Sequence, residues 1–332
     1  MSTIRLAPLA GVTDWIFREL CFAEGCDVAY TEMVSAMGVL CAPKGQPATE
    51  QLLKRGEHEK CLILQIFGKE PKVMARAAEK LTALDRFDGM DINMGCPAHK
   101  VAGSGEGSGL MRTPQLAEDI MRAVIRATHL PVSVKFRLGW DQASINVVEM
   151  AQRAENAGVS AVMVHGRTRM QQYSGLADWD IIRQVKRAVS IPVYGNGDID
   201  SPDEALQRLS EAGVDGVAIG RGAMGKPWLF HQIHQAKISP GEKPVVPLQH
   251  QWEVLLSHYD RMLAWKETHI AVREMRKHIA WYIHGMRGAS QMRVRINGMD
   301  HPDQVKEALF NFYSSQMPME HGDPFVGHQT IG

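Results

Sequence analysis

The chain lacks most of the features that assign a protein to a class at a glance. Its 332 residues include only five cysteines, Cys21, Cys26, Cys41, Cys61 and Cys96, and no Cys-x-x-Cys pair. The closest spacing, Cys21 to Cys26, is wrong for the usual zinc patterns, so no structural zinc site is expected. An odd, scattered set builds no disulfide framework and fits a reducing cytosol. All but Cys96 read as small buried hydrophobes. No run approaches the ~18 apolar residues of a membrane span. The N-terminal MSTIRLAPLAG has no apolar core of the length a secretory signal uses. A cytoplasmic protein without a membrane partner is expected. His231 and His234 stand three apart with no carboxylate or third histidine near them in sequence, so no metal is expected. Net charge is also missing, with 37 Lys plus Arg against 37 Asp plus Glu, which taken whole counts against a nucleic-acid partner.

What is present is a repeated pattern. Short apolar runs at Ile4–Ala7, Val28–Thr31, Leu62–Phe67, Gly89–Met94, Val132–Arg137, Ala161–His165, Pro192–Asn196 and Gly216–Ile219 alternate with amphipathic stretches. The clearest helix, Ser144–Ala157, is closed by Gly158, and the same punctuation recurs at Gly213. Eight strands alternating with helices predict an α/β fold, a (β/α)8 TIM barrel over residues 1–238. A doubly wound sheet is the competing arrangement. The Pro-rich segment 239–247 reads as a linker, 248–315 as a small all-helical domain, and 316–332 as a loose tail. The 19 methionines read as core filler.

Charge is distributed unevenly. Between Arg261 and Arg295 lie eight bases and two acids, an excess of six that the rest of the chain cancels. Arg273, Arg276 and Lys277 fall at i, i+3 and i+4, hence on one helical face. Trp281 and Tyr282 read as core rather than as base-stacking platforms.

In a barrel the reactive groups lie at the C-terminal strand ends. Those ends carry Gln65, Asn93, Cys96, Lys135, Arg137, His165, Arg167, Asn196, Asp198 and Arg221. Cys96 follows a Gly and precedes a Pro that stops the strand, which places a thiol able to give or take a proton at the barrel mouth. Lys135, inside a Val-rich strand, calls for an anionic or strongly polar partner, and a ligand suits it better than a structural ion pair. His165 reads as a ligand contact or proton relay, with a satisfied core histidine as the bland alternative. Gly220 and Gly222, with Arg221, suit a phosphate, or else serve only a tight turn. Gly103–Gly109 has no nucleotide-loop register and is expected to be a mobile loop able to move over a substrate.

These segments together resemble the tRNA-dihydrouridine synthase family, with the C-terminal part most similar to its bacterial B-type branch. The carrying residues are Ala7–Asp14, Asp91–Pro97, Val134–Trp140, His165–Arg169, Gly195–Ile199 and Ile219–Ala223, and the match spans about residues 4–315. Leu9 stands where the family often has Met, and Gly195 where Ala is common. The resemblance implies an FMN enzyme that reduces the C5=C6 bond of a uridine in tRNA, in the D loop, with NADPH as reductant. It places Pro8, Leu9 and Ala10 along the flavin ring, Gln65 at its edge and Lys135 near N1 and the C2 carbonyl. Asn196, Gly197, Asp198, Gly220 and Arg221 would hold the ribityl phosphate, and His165 would also bind the cofactor. Cys96 would protonate C5, while Asn93, Arg137 and Arg167 would contact the uracil or its phosphates. Arg273, Arg276 and Lys277 would meet the tRNA, and a monomer is expected.

Two other readings compete. One is an FMN barrel reductase acting on a small molecule of the dihydroorotate or nitronate type, which leaves the basic segment without a role. The other is a non-catalytic RNA-binding protein, against which Cys96 and Lys135 argue.

Overall fold

The computed structural model describes residues 2–41, 47–239, 241 and 244–317. The chain divides into two compact units, Met1–Pro244 and Val245–Gly332. The first is a closed barrel of eight parallel strands: β1 (Thr3–Leu6), β2 (Val28–Tyr30), β3 (Leu62–Phe67), β4 (Gly89–Met94), β5 (Val132–Arg137), β6 (Ala161–His165), β7 (Val193–Asn196) and β8 (Gly216–Ile219). Each strand pairs with its neighbour in sequence, and β1 pairs with β8 to close the ring. A further strand of two residues, Val34–Ser35, extends the edge of β3. Its brevity hides it from any periodicity.

Side-chain alternation divides the strands between two cores. Met90, Ile92 and Met94 of β4 are fully buried on the face away from Asp91 and Asn93. Inside, Ala7, Val28, Tyr30, Ala161, Met163, Tyr194 and Ala218 pack into one cluster. Arg5 lies over the Tyr194 ring, 3.4 Å from its centroid, and donates to the Tyr30 hydroxyl at 3.1 Å. That layer fills the N-terminal part of the barrel, so the polar residues stand toward the C-terminal mouth.

Local signals explain most boundaries. Asp14 caps the Trp15–Ala23 helix by accepting from the Phe17 N–H at 2.9 Å. Gly158 ends the Val147–Ala157 helix at φ 93°, a left-handed conformation that costs glycine nothing. That helix starts later than the expected Ser144. Residues Gln142–Ser144 form a separate 3-10 turn capped by Asp141, and Ile145 bridges back to Gly139. A Cβ at Gly139 would lie 2.3 Å from the Ser144 carbonyl oxygen, so only glycine permits this approach.

Among the described residues of the second unit there are four helices: Leu248–Trp265, Thr268–Tyr282, Ala289–Asn297 and Pro302–Ser314. Tyr282 is buried, as a core reading of that residue requires. Part of 239–247 and everything after 317 in the expected tail lie outside the described residues.

Several expectations need correction. Cys41 is exposed at the end of the short Ala36–Cys41 helix, and Cys61, just before β3, is only partly covered. The unit boundary also redraws the charge. From Val245 to Gly332 there are nine basic and nine acidic residues, so neither unit carries a net charge. The excess of positive charge is local to 261–295.

Candidate active site

The polar side chains of the barrel interior form a continuous chain across neighbouring strands. Parallel pairing sets Gln65 opposite Asp91, Asp91 opposite Ser133, and Asn93 opposite Lys135, all facing inward. Ser133 donates to Asp91 Oδ1 at 2.6 Å, and Gln65 Nε2 donates to Asp91 Oδ2 at 2.8 Å. Gln65 Oε1 accepts from Asn93 Nδ2 at 2.8 Å. Asn93 Oδ1 then accepts the backbone N–H groups of Gly95 and Cys96, at 3.1 and 2.9 Å. Burial pushes the Asp91 carboxyl up to about 6, against the hydrogen bonds of Ser133 and Gln65 and the charge of Lys135. Asp91 belongs to the site although no sequence signal separated it from a buried strand residue.

Cys96 is held at both ends. Its carbonyl oxygen accepts from the Ser108 hydroxyl at 2.7 Å and from the Ser108 N–H at 3.2 Å. The end of the glycine-rich loop is tied down rather than loose: Gly107–Gly109 are buried, while Gly103 and Ser104 are exposed and Lys69 donates to the Ser104 carbonyl at 2.9 Å. Partial burial raises the Cys96 thiol above its ordinary value, opposed by the Ala98 N–H and the charges of Arg137 and Lys135. At neutral pH this thiol holds its proton.

Lys135 is buried and donates to Asn196 Oδ1 at 3.1 Å, while Asn196 Nδ2 donates to the Ala218 carbonyl at 2.7 Å. Burial and the Arg137 charge pull the Lys135 ammonium down to about 7, with Asp91 and Cys96 acting in the other direction. No ion pair among the described residues neutralises it. A buried lysine with a neutral acceptor and a lowered pKa is matched by a ligand that carries or develops negative charge. Burial, and then the charges of Lys135, Arg137, Arg167 and Arg221, hold His165 well below its ordinary value, so its imidazole is neutral.

Two arginines organise the loops above these strands. Arg137 donates to the carbonyls of Gly95, Thr168 and Gln172 at 2.8 to 2.9 Å. Arg167 places Nη2 2.7 Å from both oxygens of Asp198 and donates also to the Ser174 and Gly175 carbonyls. Asp198, at φ 50°, additionally accepts from the Ala177 N–H at 2.7 Å. Burial alone would raise the Asp198 carboxyl, but Arg167, the Ala177 N–H and Arg221 hold it below its ordinary value. Its carboxylate is thus committed to the loop. Arg221 is half exposed, 3.4 Å from Asp198 and 4.6 Å from the centroid of Tyr173. Tyr173 escaped the sequence reading, and its ring also stands 6.4 Å from that of His165 and 5.7 Å from the Arg137 guanidinium.

The residues fit a flavin phosphate and ring. Gly197, at φ 128°, has no room for a Cβ, which would lie 2.7 Å from Ala177 and 3.1 Å from His165. Gly222 approaches the Ile199 carbonyl so closely that a Cβ would sit 2.0 Å from its oxygen. Backbone N–H groups at such glycines can line an anion, with Arg221 beside them. Pro8, Leu9 and Ala10 follow β1 in a turn where the Leu9 N–H donates to Thr13 and Glu32 accepts from the Gly11 N–H.

Similarity to known proteins agrees with this arrangement. The family model for dihydrouridine synthase (Dus) matches residues 5–316. The chain belongs to the dihydrouridine synthase family. It is therefore an enzyme, an oxidoreductase built on a (β/α)8 barrel. A "Probable tRNA-dihydrouridine synthase" of Rickettsia conorii is 40% identical over 316 residues, 95% of each chain. Proteins named tRNA-dihydrouridine synthase B are 39% identical in Pseudomonas aeruginosa, over 94% of this chain and 92% of that one, and in Vibrio cholerae, over 95% and 96%. Among solved structures, histamine dehydrogenase from Rhizobium sp. 4-9 shares the barrel at TM-score 0.54 and 14% identity, over 71% of this chain and 46% of that one. 2-Naphthoyl-CoA reductase does so at 0.55 and 11%, over 70% and 50%.

Proposed function

We propose that the protein is a flavin-dependent tRNA-dihydrouridine synthase of the B type. On this reading it reduces the C5=C6 bond of a D-loop uridine, with Cys96 as proton donor. The observation that carries the reading is the Cys96 thiol: protonated, fixed through Asn93 and Ser108, and on the same barrel mouth as the uncompensated Lys135. FMN, reduced by NADPH, would supply the hydride for C6. Lys135, Gln65, His165, Asn196, Gly197, Gly220 and Arg221, with the Pro8–Ala10 turn, would hold that group.

Hydride arrival at C6 leaves negative charge on C5 and the adjacent carbonyl of uracil. A positioned acid lowers that barrier, typically by 10²–10⁴ in rate. Cys96 gives its proton to C5 and recovers one from solvent. Asn93 and Arg137 border the thiol's loop and, on this reading, would contact the uracil or its phosphates. A paired base cannot enter a barrel, so a nucleotide that leaves its stack easily is required, which a loop supplies.

Residues 1–238 would form the catalytic domain, 239–247 a linker and 248–315 a tRNA-binding domain, in a cytoplasmic monomer. Within 261–295, Lys266 pairs with Glu274 at 2.5 Å and Arg276 with Asp300 at 2.9 Å. Arg273, Arg287, Arg293 and Arg295 are exposed and make no ion pair among the described residues. Those four are the better RNA contacts, with Arg273 shared between this set and the sequence-based triplet. The test is to purify the protein, record flavin absorbance, and follow NADPH oxidation with and without unmodified tRNA. Bleaching of the flavin by NADPH, reversed on addition of tRNA with formation of dihydrouridine, supports the proposal. Turnover on a small enone or dihydroorotate, with none on tRNA, refutes it.

A further inference from the structure

We infer that Trp140 and two arginines stacked on it, Arg112 and Arg169, form a phosphate clamp on the barrel rim for the RNA strand flanking the target nucleotide. This rests on the proposed function and goes beyond it. The Arg112 guanidinium lies 4.1 Å from the centroid of the Trp140 ring, and that of Arg169 lies 4.6 Å from it. The three residues come from successive connections at the mouth. Arg112 ends the Gly107–Arg112 turn that holds Cys96 through Ser108, Trp140 follows β5, and Arg169 follows β6. The backbone fixes the pair formed by the last two: the Arg169 N–H donates to the Gly139 carbonyl and the Met170 N–H to the Trp140 carbonyl, both at 2.9 Å.

Several arginines of the outer helices and loops in this unit are paired with carboxylates, as in Arg55–Asp88, Arg122–Glu118, Arg153–Glu149 and Arg183–Asp180, while Arg76, Arg126 and Arg187 stand singly on helices and stack on no aromatic ring among the described residues. Arg112 and Arg169 have no carboxylate within ion-pair distance among the described residues. The nearest acid in sequence, Asp141, is engaged by the Ala143 N–H at 3.1 Å and the Ser144 hydroxyl at 2.7 Å. Arg169 Nε is buried without a hydrogen-bond partner. Two like charges held against one ring repel each other, and an anion bound at their N–H edges relieves the repulsion. A guanidinium whose face is covered by an indole still offers its N–H edge, the geometry that grips phosphodiester oxygens two at a time. The position, one loop from Cys96, suits the nucleotides on either side of an extruded base.

The test uses the flavin-loaded full chain with an unmodified tRNA transcript, comparing wild type with Arg112→Gln/Arg169→Gln, Trp140→Leu and Trp140→Phe. The expected result for the double variant is a tRNA KM raised about tenfold. Its kcat at saturating tRNA and its flavin spectrum should be unchanged, and its salt slope reduced by about 1 to 2. Trp140→Leu should weaken tRNA binding and Trp140→Phe restore it. An unaltered tRNA KM and salt slope in the double variant, while wild type makes dihydrouridine, overturns the clamp alone. So does a raised KM for NADPH with tRNA unaffected, which would assign the arginines to the dinucleotide. Wild type that binds tRNA without reducing it, with the double variant binding more weakly, supports the clamp and overturns the functional reading instead.

Discussion

Gln65 donates to Asp91 at 2.8 Å and accepts from Asn93 at the same distance, so one amide links a buried carboxylate to the loop that carries Cys96. The carboxylate decides which way the amide faces. With two donors, Ser133 and Gln65, aimed at it, Asp91 accepts at both oxygens. Asp91→Asn has one oxygen and one NH2 to offer, so either Ser133 or Gln65 meets a donor. If Gln65 turns, Asn93 loses its acceptor. Hydrogen bonds to charged groups contribute about 1.5–3 kcal/mol, so kcat should fall roughly 10- to 100-fold. Single-turnover reduction of tRNA and flavin content together check this; a variant with wild-type rates would break the link.

The Arg167–Asp198 pair sets a second expectation. Arg167 is buried and Asp198 is 23% exposed, and the pair joins the loops after β6 and β7. Asp198→Asn keeps the shape but leaves the guanidinium with carbonyls only. Discounting for the partly exposed partner, stability should drop by roughly 2 kcal/mol, read as a lower urea midpoint. The sign with pH follows from the depressed carboxyl. Its contribution is complete above the unfolded value of about 4 and is lost as pH falls through the lower folded value. The variant should lack that acid limb.

The helical unit contains a different titration. His258 and His278 pack edge to face, ring centroids 4.6 Å apart, with His258 Nδ1 3.3 Å from the Tyr282 hydroxyl. Burial, with the charges of Arg261 and Lys277, brings His258 down to about 3, and burial with the His258 ring brings His278 well below its ordinary value. Both are neutral when folded. Their neutral packing is favourable above about 6.5 and costs about 1.4 kcal/mol per pH unit for each ring as pH falls below that. Thermal unfolding of the full chain between pH 7.5 and 5 should show a steep loss that His278→Phe makes shallower.

For RNA binding, the arginines free of ion pairs should matter more than Arg276. Arg293→Glu with Arg295→Glu should weaken tRNA binding at least tenfold and lower the salt slope by about 2, read by filter binding across a salt series. Arg276→Gln, already engaged by Asp300 and the Met299 carbonyl, should do far less.

Much of this was legible in the sequence because the barrel repeats its own punctuation. Strand, glycine and helix recur, and a polar residue at each strand end cannot be explained by packing. The strands at Leu62–Phe67, Gly89–Met94, Val132–Arg137, Ala161–His165 and Gly216–Ile219 fall where periodicity puts them. What stayed hidden depends on pairing across the barrel. Asp91 looks like any inward strand residue until register sets it beside Gln65 and Ser133. Tyr173 lies in a loop without periodicity, and the stack of Arg112, Trp140 and Arg169 joins residues 28 and 29 positions apart. The glycine-rich loop misled because composition reports flexibility but not the Ser108 bonds that tie it down.

The central claim is that Cys96 is the acid in uridine reduction. The most direct measurement is single-turnover formation of dihydrouridine in tRNA by Cys96→Ala, beside NADPH oxidation by the same preparation. Cys96→Ala should retain its flavin, and NADPH should reduce that flavin at a near-normal rate, with tRNA reduction slowed at least 100-fold. Wild-type rates of dihydrouridine formation in that variant would contradict it.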